Sequence, residues 1–562
     1  MDNYQIAENF SLLSKLMDIH GENSFKAKTY AIAAYHVENL PMQLSDTPIE
    51  KISALKGIGD STSKKIIELL QTGELNILKE MINNTPSGVI EMLNIKGIGP
   101  KKIHTIWKEM EIESVGELLY ACQENRLKLY KGFGEKTQQN IIETIEYYLH
   151  NQGSYLYYQV EAIEPQITVY LEKLFLTSNV FLTGTFKRQL ETIDELEYVV
   201  NATNEQIKPQ FLSANPPQLI EENPDSLLYK LWNGLRLRLY TGVGNLGERL
   251  FKNSGSDEFV ASFISHFPKI DFSEPTGVDD LGLFIQAGIS YIPVFARESA
   301  AIIDKAITEP LAEVIQPSDI KGIIHSHSNW SDGSFTIEEM AQTAIEKGFE
   351  YLVLSDHSKS AFYAQGLNEE KIAAQHQYIN ELNNKQTGFK IFKSIESDIL
   401  NDGNLDYSNS ILSTFDLVIA SIHSNLKMTE EKAMLRLIKA IENPYTIILG
   451  HMTGRLLLSR KGYPIDHKKI IDACAANHVA IELNAHPSRL DMDWRHIEYA
   501  LQKNVLISIN PDAHTTEGFD DIRFGVLTAQ KAMVTKKQNL SSFNLIEFEN
   551  YINKIKSLKG IH

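Results

Sequence analysis

From Ile323 onward the chain alternates short apolar runs with amphipathic stretches. The runs are GIIHSHS, YLVLSDH, FKSIESD, LVIASIHS, TIILGHM, VAIELNAH and VLISINPDAH. Their length and bounding polar residues predict strands, and helical stretches lie between most of them. In TIEEMAQTAIEKG, residues Ile337, Met340, Ala341, Ala344 and Ile345 form one apolar stripe, while Thr336 and Glu339 predict a capping box. Strand then helix, repeated this often, predicts a parallel sheet closed as a barrel. Residues 155–298 read differently, as short strands and helices interrupted by LSANPPQ and EENPDS. The segment AAIIDKAITEPLAEVIQPSDIKG reads as a passage between domains. Residues 1–150 read as helical hairpins and hold one element three times: LKGIGDSTSKKIIELL, IKGIGPKKIHTIW and YKGFGEKTQQNIIETI.

Composition narrows the class. A chain of 562 residues predicts several domains. It contains no apolar run long enough for a transmembrane helix, so no membrane partner is expected. The acidic, amphipathic N-terminus lacks the pattern of a signal peptide. Two cysteines, Cys122 and Cys474, offer no disulfide framework, and a cytoplasmic location is expected. The formal charge of −18 argues against a broadly basic nucleic-acid binder. It leaves room for DNA binding through backbone amides and a local basic patch.

The seven apolar runs share a second property. Each carries an ionisable or metal-capable residue near its C-terminal end: His325 and His327, His357, Glu396, His423, His451, His486, then Asp512 and His514. In a parallel barrel these ends meet on one face. One strand-end histidine is ordinarily a surface residue, but seven strand ends of seven point to a shared role. So many buried ionisable groups need compensating partners, which cations supply. Mixed imidazole and carboxylate ligation suits Zn, Mn or Fe better than Mg or Ca.

The motifs HSHSNWSDG, SDH, IESD, ASIHS, GHMTGR and NPDAH resemble, in order and spacing, the PHP (polymerase and histidinol phosphatase) domain. That resemblance implies a distorted (β/α)7 barrel holding up to three ions, with Mn or Zn expected. It implies one metal on His325, His327, Glu396 and Asp512, and a second on Glu396, His423 and His451. A third would take Asp332, His357 and His514. Such ions activate a bridging water and hold phosphate oxygens, so phosphoester hydrolysis is the chemistry implied. Arg455 and Arg489 are candidates to hold a substrate phosphate, with surface salt bridges as the alternative. His486 stands outside the implied ligand set. His376, His467, His478 and His496 fall in predicted helical stretches and are expected to be non-catalytic.

In the N-terminal repeats, glycine permits a tight turn between two short helices, and the next helix start offers amides to a phosphate. The candidate DNA contacts are Gly57, Gly59, Lys64 and Lys65 in the first copy, Gly97, Gly99, Lys101 and Lys102 in the second, and Gly132, Gly134 and Lys136 in the third. The three copies resemble the helix-hairpin-helix, which binds DNA backbone without reading sequence. With GENSFKAKTYAIAAYHV and FLTGTFKRQLETIDELEYVV, nearly the whole chain resembles a bacterial family X DNA polymerase. The resemblance implies a multidomain chain: an all-α helix-hairpin-helix region over 1–150, an α+β nucleotidyltransferase-like palm with thumb over 151–298, a linker over 299–319 and the barrel over 320–562. It implies a nucleotide-gripping turn at Gly184, Thr185 and Arg188, and a lyase-like position at Lys65, for which a phosphate contact is the favoured role.

The palm departs from the family pattern. Where the family carries Asp-x-Asp, this chain reads Glu195-Leu196-Glu197, with both carboxylates on one strand face. Mg would be the palm's metal if the palm is active, and its strict octahedral geometry tolerates the longer glutamate poorly. The strand expected to bring a third aspartate, GLRLRLYTG, offers Arg236 and Arg238 instead. The expectation is therefore a monomeric DNA repair protein acting on gapped, nicked or 3′-end DNA. Its barrel would hydrolyse DNA phosphoesters, chiefly as a 3′–5′ exonuclease with 3′-end or abasic-site processing, while its polymerase activity is weak or lost. The alternatives are a gap-filling polymerase using Glu195 and Glu197, a histidinol-phosphatase-type enzyme, and a non-catalytic binder of DNA ends.

Overall fold

The structure is a computed structural model. It describes the chain except residues 39, 41, 56, 57, 96, 150–152, 177, 178, 212–215, 273–279 and 562. Gly57, one of the candidate DNA contacts, lies outside the described residues. No described helix is long and apolar enough to cross a membrane. The chain divides into two compact units, Met1–Gln123 with Leu127–Tyr148, and Glu124–Arg126 with Leu149–His562.

The first unit is helical. Its opening helix, Asn3–His20, starts at a capping box in which Gln5 N donates to Asp2 Oδ1 at 2.8 Å and Asp2 N donates to Gln5 Oε1 at 3.1 Å. Ile6, Phe10, Leu13 and Met17, spaced three and four apart, bury one face, and the helix Ser24–Glu38 packs against it.

The second unit holds two sheets of different character. Its first half contains β1 (Tyr155–Leu156), β2 (Val180–Thr183), β3 (Thr192–Ile193), β4 (Glu195–Val200), β5 (Gln218–Asn223), β6 (Ser226–Lys230) and β7 (Arg236–Tyr240). Five of these form a mixed sheet in the order β2-β4-β7-β6-β5, in which only β4 and β7 run parallel. Its second half contains β8 (Gly322–Ser326), β9 (Tyr351–Leu354), β10 (Lys390–Asp398), β11 (Leu417–Ser421), β12 (Thr446–Leu449), β13 (Ala480–Asn484) and β14 (Ile507–Asn510). They pair in sequence order, all parallel. His327 N donates to Ala513 O at 2.8 Å and Ala513 N to His325 O at 3.3 Å, so the two sheet edges meet and the barrel nearly closes.

The helix Ile337–Glu346 begins at the expected box of Thr336 and Glu339. Ile337, Met340, Ala341 and Ala344 are buried, but Ile345 is 39% exposed, because it lies at the edge of the stripe. The segment expected as a linker carries a helix, Ala301–Thr308, whose Ile302, Ile303 and Ala306 enter one core with Phe251, Phe263 and the barrel's Ile323 and Leu352. Burial of each isoleucine stabilises by about 1.5–3 kcal/mol, so this helix contributes to the core of the second unit.

Polar contacts bind the mixed-sheet half to the barrel. Lys531 Nζ donates to Arg188 O at 2.7 Å, to Phe295 O at 3.2 Å and to Glu298 Oε1 at 2.8 Å. Arg523 pairs with Glu161, and Arg455 with Glu191. Between them, fully buried Arg297 pairs with Asp280 beneath Phe284 and Tyr291. Removing one partner of such a pair leaves an uncompensated buried charge. Asp280→Ala is expected to destabilise the second unit by about 3–5 kcal/mol. Denaturant melting followed by tryptophan fluorescence checks this, and a change below about 1 kcal/mol contradicts it.

Candidate metal centre and the palm

The barrel brings all nine of the expected ligands to the C-terminal ends of its strands. Two of them sit on unusual backbone. His325 has φ of 65° and Asp512 of 53°, left-handed values that cost about 1–3 kcal/mol each in a non-glycine residue. The register of β8 against β9 shifts between Ile323 and Ser326, and beyond that irregularity His325 and His327 are both buried, at 0% and 1% exposure.

Glu396 on β10 is the meeting point. Its Oε1 lies 2.9 Å from His451 Nε2, 3.1 Å from His423 Nε2 and 3.3 Å from His325 Nε2. Its Oε2 lies 3.0 Å from His357 Nδ1 and 3.7 Å from His327 Nε2. Three groups of potential ligand atoms, each within 4.8 Å of one another, emerge: His325, His327 and Asp512; His357, Glu396 and His423; and His327, Asp332, His357 and His514. The grouping differs in detail from the sets implied by the sequence. His327 also joins Asp332, His357 and His514, and His357 reaches Glu396 as well.

The residues fit cations. His325 Nε2, Asp332 Oδ2, Glu396 Oε2 and His514 Nε2 are buried atoms without a hydrogen bond, although opposite groups stand 3.0–3.7 Å away. Lone pairs aimed at shared points between them are the arrangement of metal ligands. Electrostatics agree. Burial alone would lower His423 and His514, yet Glu396 with Asp398, and Asp332, hold each up at about 10. His327 is pushed down to about 3 by burial and by the neighbouring His514 and His357.

Sequence reasoning missed the carboxylates behind the ligands. Asp398 Oδ1 lies 3.0 Å from His423 Nδ1. Fully buried Asp356 accepts from Ser328 N at 2.8 Å, Ser328 Oγ at 2.7 Å, Ser331 Oγ at 2.5 Å and Gln375 Nε2 at 2.6 Å, which holds the loop from His327 to Asp332. A Cβ on Gly333 would stand 2.1 Å from His327 O, so only glycine closes that loop. Glu482 meets His325 Nδ1 at 2.6 Å. The signal was present in the strings SDH, IESD and IELN, which carry these acids beside or between ligands.

The two candidate phosphate arginines fare differently. Arg455 gives Nε to Arg489 O at 3.0 Å and NH1 to Asp493 at 2.9 Å, and its NH2 serves Glu191 and Leu490 O. Four of its five donors are thus committed within the protein, and it acts as a clamp between the halves of the unit rather than a phosphate holder. Arg489 is buried on the turn beyond β13, close enough to His486 that its charge, together with burial, pushes that imidazole down to about 3. His376 and His467 lie in helices and His496 in a 3₁₀ turn, but His478 sits in the turn before β13.

In the mixed sheet, β7 runs parallel beside β4, with Glu195 opposite Arg236 and Glu197 opposite Arg238. Arg238 grips Glu195 with two bonds, Nε to Oε2 at 2.5 Å and NH2 to Oε1 at 3.3 Å. That contact, strongest of those around it, raises the guanidinium above its ordinary value. Arg236 stands 3.8 Å from the same carboxylate. Glu197 accepts from Thr185 N at 2.6 Å, Thr185 Oγ1 at 2.9 Å and Tyr240 OH at 3.0 Å. The turn expected to grip a nucleotide, Gly184 and Thr185, therefore holds a carboxylate of its own chain. Arg188 is directed to Glu298 Oε1 at 3.2 Å and Gly255 O at 3.3 Å.

In the helical unit the three repeats share one geometry. Ile58, Ile98 and Phe133 each donate N–H three residues back, to Leu55, Ile95 and Tyr130, at 3.1, 3.3 and 3.1 Å. Gly59, Gly99 and Gly134 then precede the helices Asp60–Thr72, Pro100–Lys108 and Glu135–Leu149. Gly97 and Gly132 take φ near 95°, which a side chain would strain. Lys64, Lys101 and Lys136 are exposed and Lys102 is half-buried, with its ammonium 3.3 Å from Gly97 O. Lys65 is half-buried and pairs with Glu68 at 2.7 Å.

Comparison with known proteins matches each region. Residues 1–75 match the helix-hairpin-helix domain family, residues 89–146 the SAM-like helix-hairpin-helix tandem, and residues 324–486 the PHP domain. Over 567 aligned residues the chain is 29% identical to the DNA polymerase/3′-5′ exonuclease PolX of Bacillus subtilis (strain 168), covering 96% of this chain and 97% of that protein. The chain is PolX-like from end to end. Its barrel region is also 29% identical over 214 residues to a protein named "Probable phosphatase" from Thermoanaerobacter sp. (strain X514), covering 36% of this chain and 80% of that one. A third relative so named, from Caldanaerobacter subterraneus subsp. tengcongensis, is 31% identical over 169 residues, 28% of this chain and 60% of its own length. A PolX-like chain with helix-hairpin-helix elements and a buried histidine–carboxylate cluster in its PHP domain is consistent with a metal-dependent enzyme that meets DNA.

The cluster predicts metal content. Protein purified without chelator is expected to carry more than one transition-metal ion per chain by elemental analysis. Glu396→Ala, which removes the carboxylate that five imidazoles surround, should retain less than half the wild-type content. Equal content in folded protein of both kinds contradicts the assignment.

Proposed function

We propose that this chain is a DNA repair phosphoesterase that trims 3′ ends of gapped or nicked DNA in its PHP barrel, and that its palm has ceased to polymerise. The observation that carries the reading is a contrast between two acidic sites in one chain. In the barrel, eight of the nine expected ligands fall into three groups among the described residues, and His325 Nε2, Asp332 Oδ2, Glu396 Oε2 and His514 Nε2 are buried without a hydrogen bond. In the palm, both oxygens of Glu195 and both of Glu197 are occupied by donors of the same chain. Bound cations in the barrel would supply an activated water and charge to the scissile phosphate. His325, His327, Glu396 and Asp512 would hold one, His423 and His451 with Glu396 a second, and Asp332, His357 and His514 a third, with Mn or Zn suited to this donor set. Arg489, buried beside His486, is the candidate in this reading to meet a phosphate. The three hairpin turns hold the DNA backbone through helix-start amides and nearby lysines, which makes small-molecule phosphatase activity secondary.

This reading separates the two functions. His423→Ala is expected to abolish trimming of an end-labelled gapped duplex while changing DNA affinity less than about threefold. A Gly97→Val, Gly99→Val double variant should weaken DNA binding at least about tenfold, since it strains the turn and blocks the amides. That variant should keep hydrolysis of p-nitrophenyl phosphate. Loss of both properties in both folded variants contradicts the division.

The palm reading is tested with trimming disabled by His423→Ala. Phosphoryl transfer there depends on positioned metals, and losing about 4 kcal/mol of that stabilisation slows extension roughly a thousandfold. Primer extension on a gapped template should therefore stay at background. Template-dependent extension that disappears on Glu195→Gln would restore the polymerase reading. Arg238→Ala alone should not rescue extension, because a third carboxylate is still lacking.

A further inference from the structure

Glu482 belongs to none of the three ligand groups, yet its carboxylate accepts four hydrogen bonds. It lies on β13 with no exposure. Its Oε2 accepts from His325 Nδ1 at 2.6 Å and from Asn510 Nδ2 at 2.8 Å. Its Oε1 accepts from His451 N at 3.1 Å and from Asn484 Nδ2 at 3.1 Å. Asn484 Nδ2 also donates to Asp512 Oδ2 at 3.0 Å, and Asn484 Oδ1 accepts from His486 N at 3.1 Å, which fixes the orientation of the amide. One carboxylate thus ties together residues at the ends of β8, β12, β13 and β14.

The two ligands whose side chains this network holds are the two on left-handed backbone, His325 and Asp512. Their conformations persist only if their surroundings over-determine them. The strand-closing bonds fix their main chain, but not their side chains. Glu482 fixes the ring of His325 directly and the carboxylate of Asp512 through Asn484. A carboxylate facing Nδ1 selects the tautomer with the proton on Nδ1, which leaves the lone pair on Nε2, the atom 3.3 Å from Glu396 and 3.4 Å from Asp512.

We infer that Glu482 is the positioning residue of the metal centre, holding His325 in its ligating tautomer and, through Asn484, Asp512 in its ligating orientation. The inference rests on the metal-site reading above and adds to it a residue that touches neither metal nor substrate. Glutamine at 482 keeps the size but turns an amide N–H₂ toward donors on one side. Turned toward His325, the amide repels Nδ1–H or invites the opposite tautomer; turned the other way, it meets His451 N–H and Asn484 Nδ2 as a donor and loses the link to Asp512.

The test uses the full-length chain, stripped with chelator and titrated with Mn²⁺. Glu482→Gln is expected to bind Mn²⁺ about ten- to a hundredfold more weakly than wild type, with an unchanged melting midpoint of the metal-free protein. Excess Mn²⁺ should return its hydrolysis of p-nitrophenyl phosphate to near the wild-type rate, a rescue that general damage to the fold would not show. Should Glu482→Gln fail to fold, Asn484→Ala decides. It keeps the bond to His325, frees Asp512, and is expected to weaken Mn²⁺ binding in folded protein by at least about threefold. Wild-type affinity in a folded Glu482→Gln, or in Asn484→Ala if the first variant is unfolded, overturns the inference. So does a loss of activity that excess Mn²⁺ leaves unchanged. Wild-type protein that binds no Mn²⁺, Zn²⁺ or Fe²⁺ would instead overturn the metal-site reading beneath it.

Discussion

The carboxylate of Glu396 sits among five imidazoles, inside a barrel from which water is largely excluded. Much of the surrounding architecture serves that concentration of donors. Seven parallel strands bring the side chains to one rim. Two backbone residues take left-handed values to turn ligands inward. Asp398 and Glu482 stand behind the ring against Nδ1 of His423 and His325, and Asp356 holds the loop that carries His327 and Asp332. An apolar barrel would be more stable without any of this, because buried charge is costly unless partnered. The expense is intelligible when a cation supplies the missing partner and chemistry follows.

The palm shows the opposite solution to a similar problem. Glu195 and Glu197 occupy one face of β4, and the neighbouring parallel strand answers with arginines. A guanidinium matched to a carboxylate is a stable, self-sufficient pair. Such a pair leaves no charge for a metal to neutralise. Thr185 likewise turns its amide and hydroxyl to Glu197 rather than outward. The sheet remains well packed around Leu196, Tyr198, Leu237 and Leu239, and Arg455, Arg523 and Lys531 join this half to the barrel.

What could be read beforehand follows from which physics leaves a periodic trace. Parallel strands buried on both faces give continuous apolar runs, so all seven barrel strands stood out. The repeated Gly-x-Gly turns were visible because the first glycine of the second and third copies takes a left-handed φ that a side chain would strain. The nine candidate ligands were visible because each follows an apolar run. The supporting acids were not, because Asp356, Asp398 and Glu482 are defined by partners 25 to 157 residues away. The commitment of Arg455 to Glu191, across 264 residues, was equally hidden. The helix Ala301–Thr308 looked like a passage because its short apolar face is meaningful only against the core it joins.

The most direct measurement of the central claim is the length of a labelled primer. Wild-type protein is incubated with an end-labelled gapped primer–template and Mn²⁺, with and without the four nucleoside triphosphates. The account predicts shortening from the 3′ end in both tubes, at rates that the nucleotides barely alter. Net lengthening in the tube that contains nucleotides would contradict it.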